Sequence, residues 1–305
     1  MDRATLNQVS DFDLRLLRVF KTVAKAGGFA AAESILGISR SAISMHMSDL
    51  EKRLGMRLCQ RGRAGFSLTD QGREVLRASE TVLAAIEGFR SEVNQLHHSL
   101  RGDFNIGLMN SLVTQPKMRI TTALQQLCSA NTGIRVNISM STPGDIERGL
   151  LDGRLHVGAL PLITTLPSLD YVPLYDEHSY LYCSNRHPLF ADAATVELAT
   201  LYTAQAIQPN YRMPPDAIQL HQPLLRTATA SDREAIAFLI LTGEHIGFLP
   251  DHLAANWVNQ GVMRALRPDQ MHFSITLAAA TRKGRRQNLI VDKFLEALNA
   301  PLPLP

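Results

Sequence analysis

The sequence predicts an α+β multidomain chain: a head rich in α-helix with a winged helix-turn-helix, a long linker helix, and an α/β body. Three observations predict it. Apolar residues recur at helical spacing around a glycine turn near the start of the chain. A rhythm of alternating four- and three-residue steps follows between Val75 and Leu100. Beyond Asp103, short apolar strands alternate with helices. At 305 residues the chain suits about two domains with buried cores of their own.

The first helix carries Leu14, Leu17, Phe20, Val23 and Ala24 on one face, with Asp11 or Asp13 as its N-cap and Gly27-Gly28 as its stop. A short second helix presents Ala31, Ala32, Ile35 and Leu36. Gly37 supplies a turn position that tolerates positive φ. Ser39 then caps a third helix with apolar residues at Ile43, Met47, Leu50 and Leu54. Helix, glycine turn and helix make helix-turn-helix spacing, over about 28–47. Two strand-like runs around Gly62, Arg63, Ala64 and Gly65 read as a β-hairpin wing. Thr69 caps the next helix, which is about 40 Å long at 1.5 Å per residue. One domain does not easily bury its continuous seam, so Val82, Ile86, Phe89, Val93 and Leu96 are predicted to pair with a second subunit.

In the body, Phe104–Met109, Arg135–Met140 and Leu155–Leu160 read as strands, with helices opened by Pro116 and Pro143 between them. This βαβαβ order implies a parallel sheet. A second set of elements runs from about Tyr182 to Leu266, including a helix over Glu234–Leu241 and a strand over Ile246–Leu249. Phe273–Ala280 and the helix Leu289–Leu298 complete the body. The Pro-rich 301–305 is expected to be a disordered tail.

Charge is distributed unevenly. Eleven basic residues stand against six acidic ones between Met1 and Phe66, while the whole chain carries +3. A basic head on a mildly acidic body points to a polyanion as partner of the head. Cys59, Cys128 and Cys183 are widely spaced and odd in number, which suggests neither a disulfide framework nor a zinc site. Each is expected to be a buried small hydrophobe, in a reducing cytoplasm. No run of about 18 apolar residues suggests a membrane span, and Met1–Ser10 lacks the apolar core of a secretory signal. The ten histidines are dispersed, and neither a zincin motif, a nucleophile elbow nor a phosphate-cradling glycine loop occurs. No enzyme, metal or cofactor is therefore expected.

At 100° per residue, the apolar positions of the third helix cluster on one side. Ser41, Met45, Ser48 and Lys52 face the other way, with Ser44 on the flank and Arg40 at the start. Small polar groups beside cations suit a helix entering the major groove, whose base edges offer hydrogen-bond partners and thymine methyls. The predicted DNA-binding set is Ser39, Arg40, Ser41, Ser44, Met45, His46, Ser48 and Lys52, with Arg61 and Arg63 on the wing for phosphate or minor-groove contact.

Asp13–Phe20, Val23-Ala24, Gly27–Phe29, Ala31–Glu33, Leu36, Ile38–Ser44, Leu50-Glu51, Leu54-Gly55, Leu58, Arg61, Leu68-Thr69 and Gly72 resemble the start of LysR-type transcriptional regulators. Arg40-Ser41 stands where that family usually has Gln-Pro, and Cys59 where it has Phe. The resemblance implies a winged helix-turn-helix at 1–68, a linker and dimerisation helix at 69–100, and an effector-binding domain at 101–300. That domain would be periplasmic-binding-protein-like (type II), with lobe I at about 101–182 and 270–300 and lobe II at about 183–269. Arg186–Leu189 resembles the segment that crosses between lobes, and Gly243–Pro250 the loop and strand of the second lobe.

Ligands of open α/β sheets bind beyond the carboxyl ends of strands. Asn110, Ser111, Thr142, Pro161, Gln205, Thr229 and Ser231 are the candidates, though Ser111, Thr142 and Ser231 serve equally as plain helix caps, Ser231 for the helix from Asp232. The implied partners are promoter DNA, a small polar or anionic effector, further copies of the chain as dimer and tetramer, and RNA polymerase. The implied location is the cytoplasm, at the nucleoid. A solute receptor with oligomerisation helices, or an enzyme with an accessory DNA domain, are the rival readings.

Overall fold

The computed structural model describes residues 9–62, 65–96, 100–129 and 133–300. It divides into two compact units, Met1–Val93 and Asn94–Pro305. The expected tail at 301–305 lies outside the described residues.

In the first unit, α1 (Asp11–Ala26), α2 (Phe29–Leu36) and α3 (Arg40–Leu54) precede a hairpin of β1 (Cys59–Gly62) and β2 (Gly65–Leu68), and then α4 (Asp70–Leu96). Gly27 and Gly37 close α1 and α2 at φ 73° and 65°, a left-handed conformation that glycine adopts without steric cost. The sharp turns they permit bring Leu16, Phe20, Ile43, Met47 and Leu50 into one core with Leu58 of the wing. Ser10, rather than Asp11 or Asp13, caps α1. Asp13 is the reciprocal acceptor of the capping box, its Oδ2 taking the Ser10 N–H at 2.8 Å. Asp13 also accepts from the Arg53 guanidinium at 2.8 Å, tying the start of α1 to the end of α3. Thr69 caps α4 by accepting from Gly72 N–H at 2.9 Å. A Cβ at Gly72 would overlap the Leu58 carbonyl, so only glycine lets α4 approach β1 this closely.

The second unit opens with β3 (Gly102–Leu108), α5 (Arg119–Ser129), β4 (Ile134–Met140), α6 (Pro143–Leu151) and β5 (Val157–Pro161). Strand β3 pairs in parallel with both β4 and β5, as the alternation of elements predicts. Then come β6 (Leu169–Ser184), α7 (Leu198–Thr203), β7 (Gln205–Pro209), α8 (Pro215–His221), β8 (Leu225–Ala230) and α9 (Arg233–Leu241). The chain finishes with β9 (Gly247–Pro250), α10 (Asp251–Asn259), β10 (Met263–Ala265), β11 (His272–Arg282) and α11 (Leu289–Asn299). Among the described residues one mixed sheet has the order β10-β6-β11-β5-β3-β4, with β9 also on β6, and β7 pairs β8 in parallel.

Two lobes form around this ribbon. Phe104, Ile106, Ile146, Leu160 and Phe294 lie in the first core. The second lobe packs around Leu181, Leu201 and Ile246, and around Ile207, Ile236 and Leu249. Strands β6 and β11 pair antiparallel from Leu169 opposite Arg282 to Tyr180 opposite His272, and so run through both lobes.

Several expectations need correction. The chain crosses between lobes inside β6, because Tyr175 packs in the first core while Leu181 and Tyr182 pack in the second. It does not cross at Arg186–Leu189: the 16-residue strand carries it over before the turn. Met271 likewise belongs to the second lobe. Pro116 does not open a helix. A 3-10 turn at Leu112–Thr114 precedes it, and α5 starts at Arg119, one residue after Met118 adopts φ 42°. Cys59 and Cys183 are buried, the latter's thiol pushed up to about 12 by burial, but Cys128 is exposed on α5.

Burial works to raise the Asp13 carboxyl, yet the Ser10 hydrogen bonds and Arg53 hold it below the ordinary carboxylate value. A depressed folded-state pKa stabilises the fold above the unfolded value of about 4, and that contribution is lost as pH falls through the lower folded value. Amide exchange in α1 and α3 is expected to accelerate as pH-corrected measurements move below about 4. In Asp13→Asn, protection is expected to be lower at neutral pH and to depend less on acid.

Candidate functional site

Helix α3 is sharply two-sided. Ile43 and Met47 have no exposed surface, while Met45 is 57% exposed on the opposite face. Arg40, Ser41 and Lys52 are exposed beside it, and Ser44 and Ser48 are half-buried. Ser39 caps the helix by accepting from Ala42 N–H at 3.3 Å, and its Oγ lies 2.9 Å from that of Ser41. The Arg40 N–H donates to Glu33 Oε1 at 3.2 Å, which fixes the start of α3 against α2.

His46 is a correction. It is buried, with Nδ1 lacking a hydrogen-bond partner. Three residues after Ile43 and one before Met47, it falls on the inward side of a 3.6-residue turn and not on the exposed face. The wing strands pair from Cys59 opposite Leu68 to Gly62 opposite Gly65. Arg63 and the Arg61 side chain lie outside the described residues. A residue that patterning does not single out holds the wing in place. Buried Glu51 of α3 accepts from Leu58 N–H at 2.9 Å and Cys59 N–H at 3.3 Å. Along α4, Val82, Phe89 and Val93 are exposed and Ile86 is half-buried; the Leu96 side chain lies outside the described residues.

The second unit holds a cavity of about 320 Å³ between its lobes. Of the expected residues, Asn110, Thr142, Pro161 and Ser231 line it. Ser111, Gln205 and Thr229 do not. Ser111 adopts φ 70° and turns its Oγ into a buried position without a partner. Gln205 begins β7, whereas the cavity lies past that strand's far end, at Pro209 and Tyr211–Pro214. Thr229 is exposed and alternates with buried Ala230. Ser231 does not cap α9 either. Asp232 does, accepting from Ala235 N–H at 2.9 Å.

Sequence reasoning missed the buried polar cluster behind Arg233, a residue of the cavity wall. Glu177 on β6 has a fully buried side chain and accepts from both terminal nitrogens of Arg233, which lines the cavity. His252 Nε2 donates to it at 2.9 Å and Gln115 Nε2 at 3.4 Å. Burial works to raise the Glu177 carboxyl, but the His252 hydrogen bond and the Arg233 charge outweigh it and keep the value low. His221 also lines the cavity. Its Nδ1 donates to the Ala217 carbonyl at 2.7 Å, so in the neutral ring Nε2 is an acceptor, and that atom has no partner. Burial holds the ring's pKa below its ordinary value. No local pattern marks these residues, since they meet only when the two lobes fold around β6. Among the described residues, no group of three His, Cys, Asp or Glu side chains is placed to hold a metal ion, and no helix is long and apolar enough to cross a membrane.

Residues 14–73 match the model of the bacterial regulatory helix-turn-helix protein, lysR family, and residues 97–302 match that of the LysR substrate binding domain. The chain belongs to the LysR family. It is a LysR-type transcriptional regulator with a DNA-binding head and an effector-binding domain, and not an enzyme. It is 59% identical over 295 residues to the HTH-type transcriptional activator BauR of Pseudomonas aeruginosa, covering 96% of this chain and 97% of BauR. The SDS degradation transcriptional activation protein of a Pseudomonas species is 33% identical over 180 residues, 58% of each chain. The same fold occurs in CbnR bound to its target DNA (TM-score 0.66, 22% identity, 93% of this chain and 98% of that one). It occurs also in a full-length OxyR variant of Pseudomonas aeruginosa (TM-score 0.60, 19% identity, 96% and 95%).

In this LysR-type head, Glu51→Ala leaves two buried N–H groups without their acceptor, at a cost of about 1–3 kcal/mol. Faster amide exchange at Leu58 and Cys59, with α1 still protected, is the expected reading.

Proposed function

We propose that this regulator controls transcription by laying α3 across the major groove, with a small-molecule effector in the interlobe cavity tuning how it engages its promoter. The observation that carries the proposal is the division of α3 into a fully buried apolar side and an exposed side bearing Arg40, Ser41, Met45, Ser48 and Lys52. A helix so divided offers hydrogen-bond donors and a methyl-seeking side chain to base edges, with cations for phosphates. Two copies pair through Val82, Ile86, Phe89, Val93 and Leu96, so that two heads meet the halves of a near-palindromic site. Paired dimers form the tetramer. Head, linker helix and effector domain divide at 1–68, 69–100 and 101–300.

An effector acts only through unequal affinity for two arrangements of the assembly. Asn110, Thr142, Pro161 and Ser231 are the wall against which a small polar ligand sits. The kinship with a named activator supports activation as the output, with RNA polymerase as a partner on the promoter and the bacterial cytoplasm, at the nucleoid, as the place of action.

Arg40→Ala is expected to weaken binding to the cognate site by about 1–3 kcal/mol while leaving random DNA unaffected, measured by fluorescence anisotropy. An equal loss on both DNAs, with the salt slope reduced by about one, makes Arg40 a phosphate contact instead. Absence of preference for any duplex at low salt refutes the proposal. Phe89→Glu is expected to lower the mass in solution by light scattering, and an unchanged mass removes the pairing role of α4.

A further inference from the structure

Three groups that ordinarily recognise an anion open onto the interlobe cavity, and two of them are already served by a carboxylate of this chain. Arg233 lines the cavity with its guanidinium bound to Glu177, whose side chain has no exposed surface. The N-terminus of α9 is capped by Asp232, itself part of the wall. The N-terminus of α6, reached through Thr142 and Pro143, is capped by the Thr142 hydroxyl, and Asp145 in its first turn pairs with Arg148. Guanidinium forks and free helix N-termini are the usual receptors of carboxylate and phosphate. Here a ligand anion would meet resident negative charge at Arg233 and at the start of α9. Arg212 also lines the cavity, but it is exposed and its charge is screened by solvent. His221 also lines the cavity, and burial keeps its ring from adding positive charge there.

We infer that the cavity selects a small polar ligand of zero net charge, uncharged or zwitterionic, over a simple anion, and that Glu177 determines this specificity by occupying Arg233. The inference rests on the reading of the cavity as the effector site. Glu177 acts through Arg233, so it is a positioning residue. Its signature is a change in the preference between neutral and anionic ligands, which a merely structural role would not produce.

Benzamide and benzoate are matched in shape and differ in charge. Met109, Met140 and Met213 line the cavity, so their methyl resonances in full-length, methyl-labelled protein report its occupancy. Benzamide is expected to shift these methyls at concentrations at least ten-fold below those needed for benzoate. In Glu177→Gln, benzoate is expected to gain about ten-fold while benzamide changes little. Benzoate binding as tightly as benzamide to the native protein overturns the inference, and so does an unchanged preference in a folded Glu177→Gln. Should that variant fail to fold, the native ratio still decides, and Arg233→Gln gives a second arm. It is expected to change benzoate binding less than two-fold, and a ten-fold loss would show that the guanidinium was open to anions after all. If neither compound moves these methyls, the cavity is not the effector site, and the inference falls with that reading.

Discussion

Both lobes of the effector domain hang on a single antiparallel ribbon, β6 against β11. Its register runs from Leu169 opposite Arg282 in one lobe to Tyr180 opposite His272 in the other. A hydrogen-bonded ladder bends more readily than it slips, because slippage by one residue would turn every buried side chain to the wrong face. The cavity lies against this ribbon, lined by Ser179 of β6 and by Phe273 and Ile275 of β11. The register shifts between Leu277 and Ala278, opposite Leu174, on the first-lobe side of the crossing. Glu177 sits on β6 within the same stretch, holding Arg233 and His252 from one lobe and Gln115 from the loop after β3. Backbone continuity and buried charge thus act on one place.

The head obeys a different constraint. Beside its apolar core, polar contacts between elements set the angles of its helices. Ser10, Asp13 and Arg53 join the start of α1 to the end of α3. Glu33 meets the first N–H of α3, and Glu51 meets the first strand of the wing. The N–H groups that Glu51 meets are buried, and orphaned donors are costly where water is excluded.

Much of this architecture is legible in the sequence, for physical reasons that also mark the limits. Apolar spacing of 3.6 residues locates α1 to α4, and alternation of strands with helices locates the parallel β3-β4-β5 arrangement, because both signals are local. Gly37 and Ser39 mark the turn and cap between α2 and α3 correctly. His46 is misplaced on the exposed face because composition alone suggests a polar surface there, whereas its angle on the helix sets it inward. Ser231 loses the cap of α9 to its neighbour Asp232, a difference of one residue that pattern does not resolve. Gln205 falls at the wrong end of its strand, since the boundaries of β7 are weakly marked. Glu177, Arg233 and His252 are illegible as a group. They are separated by 56 and 19 residues and meet only in the folded domain, so no window of the chain contains their relation.

The arrangement of α3 has a consequence for how such a regulator changes over evolution. Its inward residues, its cap and Glu51 are committed to holding shape, while Arg40, Ser41, Met45 and Lys52 reach into solvent and support little of the core. Exposed substitutions of that kind are usually worth less than about 0.5 kcal/mol in stability. The positions proposed to meet base edges are thereby uncoupled from those that keep the head folded. A lineage can drift from one target sequence to another through viable intermediates, each as robust as the last.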